Sequence, residues 1–288
     1  KLVDIPCSPS AFLADCFPET ITQRLESSSY TLVPKLNHHE LYQHGMEGQI
    51  STINHLTIPF LASMTRENMT SPNFYIAGGH TDFNYAQSDF LKLKYTPEGI
   101  LPAKLPDMPD KKYTFGLTVG PDGTTFALGG CKLESPRKES KSKSCHCFLK
   151  EKNLWVKITD LPETLDNVAA VTSKVDATDK YRVIVLAGTS SSKFYRSNLC
   201  CPSQGSMITK WEIIETGLLL MENVWWQGLN VTPSQAILVN NQGMCLQLDT
   251  QTCKISSRIT LAERPFRFSA GFCLKRDTII ILGDRGDI

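Results

Sequence analysis

The most regular feature of the chain is a short run of apolar residues that ends at a glycine. Four such runs occupy residues 74–77, 126–128, 183–187 and 279–282, and they are followed by Gly78, Gly129, Gly188 and Gly283. Successive glycines lie about 50 to 60 residues apart, but the last interval is about twice as long. A weaker copy of the run, residues 236–239, divides this long interval into two similar steps. The pattern therefore indicates five copies of one structural unit.

Within each unit, the alternation of apolar and polar positions predicts up to four short strands. In the second unit, apolar segments at residues 115–119, 126–128, 147–149 and 155–158 surround a turn at 120–123, and its Asp122-Gly123 pair is a strong hairpin signal. The other predicted strands are residues 58–63, 74–77, 90–95, 168–172, 183–187, 210–214, 236–239, 244–248, 266–272 and 278–282. A period near 50 with glycine after the second strand is typical of kelch repeats, each of which forms one blade of a β-propeller.

We therefore predict an all-β protein, a single kelch-type β-propeller domain over residues 1–288, whose first and last blades are incomplete. Residues 11–13 and 30–33 look like outer strands without inner partners, whereas the fifth unit has only inner strands. If the two ends join as one shared closing blade, the propeller has five blades. If each end belongs to a separate incomplete blade, it has six. We predict six blades of four-stranded antiparallel sheet, because five-bladed kelch propellers are unusual.

Glycine at the end of these strands has a structural explanation. Strands crowd around the central channel of a propeller, where a side chain at the end of a strand would collide with the neighbouring blade. We therefore expect a structural role for the repeat glycines, which are Gly78, Gly79, Gly129, Gly130, Gly188 and Gly283.

Three stretches of the chain are distinctive: FYIAGGHT at residues 74–81, FALGG at residues 126–130, and residues 271–287. They resemble one family of propellers, the second recombination-activating proteins, which are accessory subunits of the V(D)J recombinase, and their transposon-encoded invertebrate relatives. Residues 74–81, FYIAGGHT, together with 88–93, resemble the second blade of that family. Residues 126–130, FALGG, open into a long basic loop and resemble its third blade, with 147–149 and 161–163 after the loop. Residues 271–287 resemble the last blade, and residues 6–12 are similar to the outer part of the first.

The resemblance implies a non-catalytic nuclear subunit of a DDE-type DNA recombinase or transposase. The larger subunit of such a complex carries the nuclease carboxylates, and this chain would bind that subunit and help to engage DNA. A heterotetramer with two copies of each subunit is the implied assembly. No cofactor, metal or membrane is implied, and no cysteine and histidine array typical of the vertebrate family's zinc finger follows Ile288.

Local charge indicates one candidate DNA-binding segment, independently of the family resemblance. Basic residues balance acidic ones over the whole chain, 30 to 29, so affinity for a polyanion must come from local clustering. The loop at residues 132–144 is locally basic, and a mobile basic loop can neutralise phosphates without reading sequence. The candidate DNA-binding residues are Lys132, Arg137, Lys138, Lys141 and Lys143, with Lys111 and Lys112 before the same blade. The alternative is an ordinary solvated loop.

Other motifs predict no chemistry. The chain has no Gly-x-Ser-x-Gly elbow, phosphate-binding glycine loop or His-Glu-x-x-His, so we predict no enzyme activity of its own. Cys145-His146-Cys147 has the wrong spacing for two ligands of a tetrahedral zinc, and the ten cysteines are interpreted as reduced thiols, although Cys245 and Cys253 could face each other across a hairpin. No apolar run approaches the roughly 18 residues of a membrane span.

A second class of function remains open at this stage, a general kelch interaction module. It could be a substrate adaptor for ubiquitin ligation or a secreted adhesion domain. The secreted alternative draws on two glycosylation-type triplets, which begin at Asn68 and Asn230.

Overall fold

The computed structural model describes residues 42–44, 50–52, 63–66, 73–79, 86–96, 99–135, 138–175, 179–187, 193–216, 224–240, 244–260, 268–275 and 278–283. All of the long-range pairing in these residues is antiparallel sheet. A short pair, β1 (Tyr42–His44) and β2 (Ile50–Thr52), comes first. Blade 1 follows as a four-stranded sheet of β3 (Ser63–Arg66), β4 (Asn73–Ala77), β5 (Phe90–Thr96) and β6 (Gly99–Leu105).

Blade 2 contains β7 (Gly116–Val119) and β8 (Thr125–Leu128), then an inserted hairpin of β9 (Cys131–Ser135) and β10 (Lys138–Lys141), and finally β11 (Cys145–Leu149) and β12 (Leu154–Lys157). Blade 3 has β13 (Val168–Lys174), β14 (Tyr181–Ala187), β15 (Lys193–Ser197) and β16 (Trp211–Glu215). Blade 4 has β17 (Trp226–Thr232), β18 (Gln235–Asn240), β19 (Met244–Asp249) and β20 (Lys254–Thr260). A last pair, β21 (Phe268–Lys275) and β22 (Thr278–Gly283), ends the described chain.

The first strand of each blade lies innermost, and these strands form a ring. Strand β3 packs against β7, β7 against β13, β13 against β17 and β17 against β21, while β21 returns to β3. The described residues thus make a propeller of four complete four-stranded blades, with the two-stranded β21–β22 sheet in the gap between blade 4 and blade 1. Because these five inner strands of the described residues already close on one another, no space is left among them for a further blade, and the predicted count of six is wrong. The predicted outer strands at residues 11–13 and 30–33 lie outside the described residues.

The hydrophobic core lies between adjacent blades rather than inside any one sheet. On β8, Phe126 packs toward blade 3 while its neighbour Ala127 packs toward blade 1. On β14, Val183 likewise packs toward blade 2 and Ile184 toward blade 4. Since both faces of each sheet are covered, a second strand is apolar along its whole length, which explains the runs in the sequence.

Strand direction gives the ring two distinct faces. The second strand of each blade ends on the face that carries Gly78, Gly79, Gly129 and Gly130 and the connections to the next blade, which we call the glycine face. The opposite face carries the turns between first and second strands and between third and fourth strands, and we call it the turn face.

Candidate nucleic-acid interface

The basic segment predicted as a mobile loop is largely a β-hairpin on the glycine face. Strands β9 and β10 pair antiparallel, with Lys141 opposite Cys131 and a bulge between Lys138 and Glu139. The hairpin is inserted between β8 and β11 of blade 2, so it starts directly at Gly130. Residues 136 and 137 at its tip, and therefore Arg137, lie outside the described residues. The prediction of a mobile loop at residues 132–144 is therefore wrong for most of the segment, because β9 and β10 are paired by backbone hydrogen bonds.

Backbone and apolar contacts fix the base of the hairpin to the ring. Tyr113 and Cys131 exchange two backbone hydrogen bonds of 3.0 and 2.9 Å, and the Ser142 N–H donates to the Gly130 carbonyl at 2.8 Å. Cys131 also packs in a small apolar cluster with Ala86 and Tyr113, which Leu133 and Trp225 cover in part. The hairpin is thus attached to blade 1, to blade 2 and to the connection that leads into blade 4.

Two of the candidate lysines are held by aspartates of the connections between blades. Lys132 Nζ lies 2.9 Å from Asp110 Oδ1, in the connection that precedes β7. Lys141 Nζ lies 3.1 Å from Asp166 Oδ1, in the connection that precedes β13. Both lysines are partly exposed, so each ion pair is solvated and its net contribution to stability is small. The positive charge that these two residues offer to a ligand is partly neutralised within the protein.

Asp110 is the most strongly perturbed carboxylate of this interface. Partial burial raises its pKa, but hydrogen bonds from Ser144 and Lys132 and the nearby charge of Lys112 lower it further, to about 2. Its Oδ2 lies 3.7 Å from Nδ1 of His146, whose pKa falls to about 4 because of burial and the charge of Lys112. At neutral pH, Asp110 is therefore an anion beside a neutral imidazole.

Lys143 and Lys111 are exposed on the glycine face. The Lys143 carbonyl accepts a hydrogen bond from Leu161 N at 3.0 Å, which fixes the backbone while the side chain faces solvent. Lys138 lies on β10, opposite Ser135. With Lys132 and Lys141, these three residues place five of the seven candidates on or beside this surface.

Lys112 is not a surface residue, which corrects its place among the candidate DNA contacts. It is 0% exposed, and its ammonium group donates to the carbonyls of Ala127 and Ser144 at 3.3 Å each. The same group lies 5.3 Å above the ring of Phe115. Burial lowers the pKa of Lys112 to about 8. Adjacent lysines in the sequence thus have opposite environments, since Lys111 is exposed and Lys112 is buried against the blade 2 sheet.

The repeat glycines stand where a side chain has no room. A Cβ on Gly78 would lie 2.4 Å from the Lys112 carbonyl oxygen, and one on Gly130 would lie 2.5 Å from Phe115 Cβ. Both residues also have positive φ, +62° and +93°. Gly78 follows β4 of blade 1 and Gly130 follows β8 of blade 2. The absence of a side chain at each lets these strand ends pack against the connection into blade 2. Gly283 ends β22, and Gly188 lies outside the described residues.

The cysteines and histidines of the described residues form no cluster of three or more potential metal ligands. Cys145 and Cys147 face the core between blades 2 and 3, whereas His146 on the same strand points the other way, toward Asp110. Cys245 pairs across the sheet with Ile259, and Cys253 lies in the turn before β20, so these two do not face each other. Seven cysteines of the described residues are buried and form no disulfide: Cys131, Cys145, Cys147, Cys200, Cys201, Cys245 and Cys253. No described helix is long and apolar enough to cross a membrane.

Sequence reasoning missed Asp110 and Asp166, the partners of Lys132 and Lys141. Asp110 follows β6 and Asp166 precedes β13, and neither belongs to a recognisable sequence motif. The only available signal was their place in the connections between blades, which the repeat pattern puts on the same face as the glycines.

Comparison with known proteins supports the fold and nothing finer. No protein-family model matches the chain, and no curated protein matches it. A solved structure titled "Structure of YjhT" is similar, with a TM-score of 0.52 and 14% sequence identity over 78% of this chain and 72% of that chain. Likeness at such low identity shows the fold alone, a β-propeller.

Proposed function

We propose that this chain is a non-catalytic accessory subunit of a DDE-type DNA recombinase or transposase. It binds the larger catalytic subunit through the propeller and contacts the DNA backbone through the β9–β10 hairpin. The observation that carries the proposal is the hairpin itself, an ordered basic projection whose lysines belong to one stretch of sequence on the glycine face. The family resemblance of residues 74–81, 126–130 and 271–287 supplies the catalytic partner, the heterotetrameric assembly and the nuclear location.

The chemistry of the hairpin suits phosphates rather than base edges. Lysine is a point charge on a flexible stem, so it neutralises phosphate without the fixed geometry that base recognition requires. Lys143 is exposed, while Lys132 and Lys141 can exchange an aspartate for a phosphate. Binding through this hairpin is therefore expected to be independent of DNA sequence and to weaken steeply with salt.

The structure gives no support to the secreted alternative at Asn230. This residue lies on β17, and its Nδ2 donates to Thr172 Oγ1 of blade 3 at 2.8 Å while its Oδ1 accepts from the Thr172 N–H at 3.0 Å. A glycan on that nitrogen would remove a hydrogen bond between two inner strands. Asn68 lies outside the described residues.

The first experiment is co-purification of the chain with a transposase-like catalytic subunit, followed by DNA binding and cleavage with and without the chain. Stable association with stronger DNA engagement supports the proposal. Failure to associate, together with glycan found by mass spectrometry, contradicts it.

A charge-neutralised variant tests the hairpin directly. Replacing Arg137, Lys138, Lys141 and Lys143 together with glutamine should weaken DNA binding by the assembled complex and reduce its salt dependence. Association with the catalytic subunit and thermal stability should stay close to wild type, because exposed charges contribute little to stability. Unchanged DNA binding at low salt would mean that the hairpin is only a connector.

A further inference from the structure

The turn face of blades 2 to 4 carries a second set of lysines, separate from the hairpin. Strand direction brings its turns to the same end of the ring, the end opposite the glycines. Six lysines stand in or beside these turns: Lys150, Lys152, Lys174, Lys180, Lys210 and Lys254. They are far apart in the sequence and belong to three blades, so no sequence window shows them as a cluster.

Two carboxylates of this face, Asp122 and Asp249, accept several hydrogen bonds, whereas Glu151 and Asp179 are exposed beside the lysines. Asp122 accepts hydrogen bonds from the Thr124 N–H at 3.0 Å and from the Tyr181 hydroxyl at 2.7 Å. Asp249 accepts from the N–H groups of Gln251 and Thr252 at 2.9 Å each, and these bonds, that of Thr252 foremost, lower its pKa. Both aspartates are half-buried. They therefore act as turn caps, and the charge of Lys254, opposite Asp249 across the sheet, also helps to lower the pKa of Asp249.

Four lysines toward the glycine face have carboxylate partners, whereas Lys111 and Lys143 on that face are exposed. Toward the glycine face, Lys104, Lys132, Lys141 and Lys157 each have an aspartate oxygen in ion-pair contact. On the turn face, Lys152, Lys180, Lys210 and Lys254 are exposed, and none of them forms an ion pair with any residue that the structure describes. A phosphate that binds an unpaired lysine displaces only counterions, whereas one that binds a paired lysine must also displace a carboxylate.

We propose that the turn face of blades 2 to 4 binds the phosphate backbone of duplex DNA as a second contact surface. This inference rests on the proposed function, because DNA is the ligand in both. The lysines favour a phosphate backbone over an acidic protein for two reasons. Lysine is depleted in protein interfaces relative to other surfaces, and point charges spread over the turns of three blades suit a repeating polyanion better than one compact epitope.

Two quadruple variants of the full chain separate the two surfaces. One replaces Lys152, Lys180, Lys210 and Lys254 with glutamine, and the other is the hairpin variant described above. Each variant removes four positive charges, so long-range effects of net charge on DNA affinity are equal. A difference in affinity between the variants therefore shows which surface contacts the DNA. Binding to a fluorescent duplex of about 30 base pairs and arbitrary sequence is measured by anisotropy over a range of salt concentrations.

We expect the turn-face variant to bind duplex at least about tenfold more weakly than wild type at low salt, with a salt slope smaller by up to about 4. Loss in the turn-face variant alone supports this inference and contradicts the role of the hairpin. Loss in the hairpin variant alone overturns the inference and leaves the proposed function intact. Loss in both supports both, and wild-type binding by both overturns both.

A pull-down with the catalytic subunit provides the remaining control. If the turn-face variant binds duplex normally but no longer associates with that subunit, the surface is a protein-docking face and the inference is wrong. Circular dichroism of both variants verifies that they are folded, and no loss of fold is expected from exposed lysines at turns.

Discussion

At the scale of single residues, Lys112 shows how far the tertiary environment can change the meaning of a side chain. In the sequence it is one of two adjacent lysines, yet its ammonium group is fully buried against two carbonyls and an aromatic ring. No carboxylate is hydrogen-bonded to it among the described residues, and Asp110 acts on it only through space. A buried cation without a direct counterion destabilises the fold, because its desolvation is only partly compensated.

We predict that the Lys112→Met variant is at least as stable as wild type at pH 7. The pKa of Lys112 is about 8 in the folded protein against 10.5 normally, so the unfolded chain binds this proton more tightly. The resulting penalty, about 3 kcal/mol, is fully present below pH 8 and disappears as the pH rises to 10.5. Urea denaturation at several pH values measures the difference in unfolding free energy between the two proteins. Titration of the cysteines and tyrosines that both proteins share cancels in this difference. A difference that is constant with pH would contradict the burial of a charged lysine.

The repeat glycines allow a matched pair of substitutions. Gly78 has a φ of +62°, and a Cβ there would lie 2.4 Å from a backbone carbonyl oxygen, whereas Gly205 has a φ of +84° with nothing within 4 Å. We predict that Gly205→Ala costs about 1 kcal/mol of unfolding free energy from backbone strain alone, while Gly78→Ala costs about 3 kcal/mol or more because of the added collision. Chemical denaturation measures both. Equal losses would show that the close approach at Gly78 relaxes without cost.

At the scale of elements, the strands that the sequence predicted most closely are the second strands of the blades, which are buried on both faces. Strands β4, β8, β14 and β18 are continuous apolar runs, and each was predicted within one or two residues. Strands β6, β15, β17 and β20 were not predicted. Strand β6 contains Pro102 and lies at an outer edge, β15 and β20 mix charged and apolar residues, and β17 is interrupted by Gly228, whose Cβ would lie 2.5 Å from the Ala170 carbonyl oxygen. An outer strand needs less apolar surface, so its signal is weaker, whereas β17 is buried but its apolar pattern is broken by Gly228 and by polar residues.

The β9–β10 hairpin gives a prediction about its aspartate partners. Replacing Asp166 with asparagine removes the carboxylate beside Lys141, so duplex DNA should bind about two- to threefold more tightly, and unfolding free energy should fall by less than about 1 kcal/mol. Asp107→Asn is the matched control, because it changes net charge equally but its partner Lys104 keeps Asp89. Anisotropy with the same duplex measures both variants. An equal gain in the control would assign the effect to net charge alone.

At the scale of the whole molecule, closure depends on β21. This strand packs between β17 of blade 4 and β3 of blade 1, so the last part of the described chain covers an inner strand near its beginning. The contact joins residues more than 200 positions apart, and contacts of such long range carry a large loop-closure entropy cost and slow folding.

We predict that a chain ending after Thr260 loses its cooperative unfolding transition, because the inner strands of blades 1 and 4 are left uncovered. The measurements are dye binding to exposed apolar surface, which should increase, and size-exclusion chromatography, which should show association. A chain ending after Gly283 retains β21 and β22 and serves as the control. A monomeric, cooperative protein ending after Thr260 would show that the four complete blades are stable without closure.

The sequence by itself determined the class of fold, the second strand of each blade and the sites of the repeat glycines. These features depend on local patterns, since a strand covered on both faces must be apolar throughout and a crowded strand end must lack a side chain. Only the tertiary structure decided the number of blades, the burial of Lys112, the ion pairs of Lys132 and Lys141 and the gathering of unpaired lysines on the turn face. Each of these depends on groups that are distant in sequence, and the energy of a charge or of a closing strand is set by the neighbours that folding brings to it.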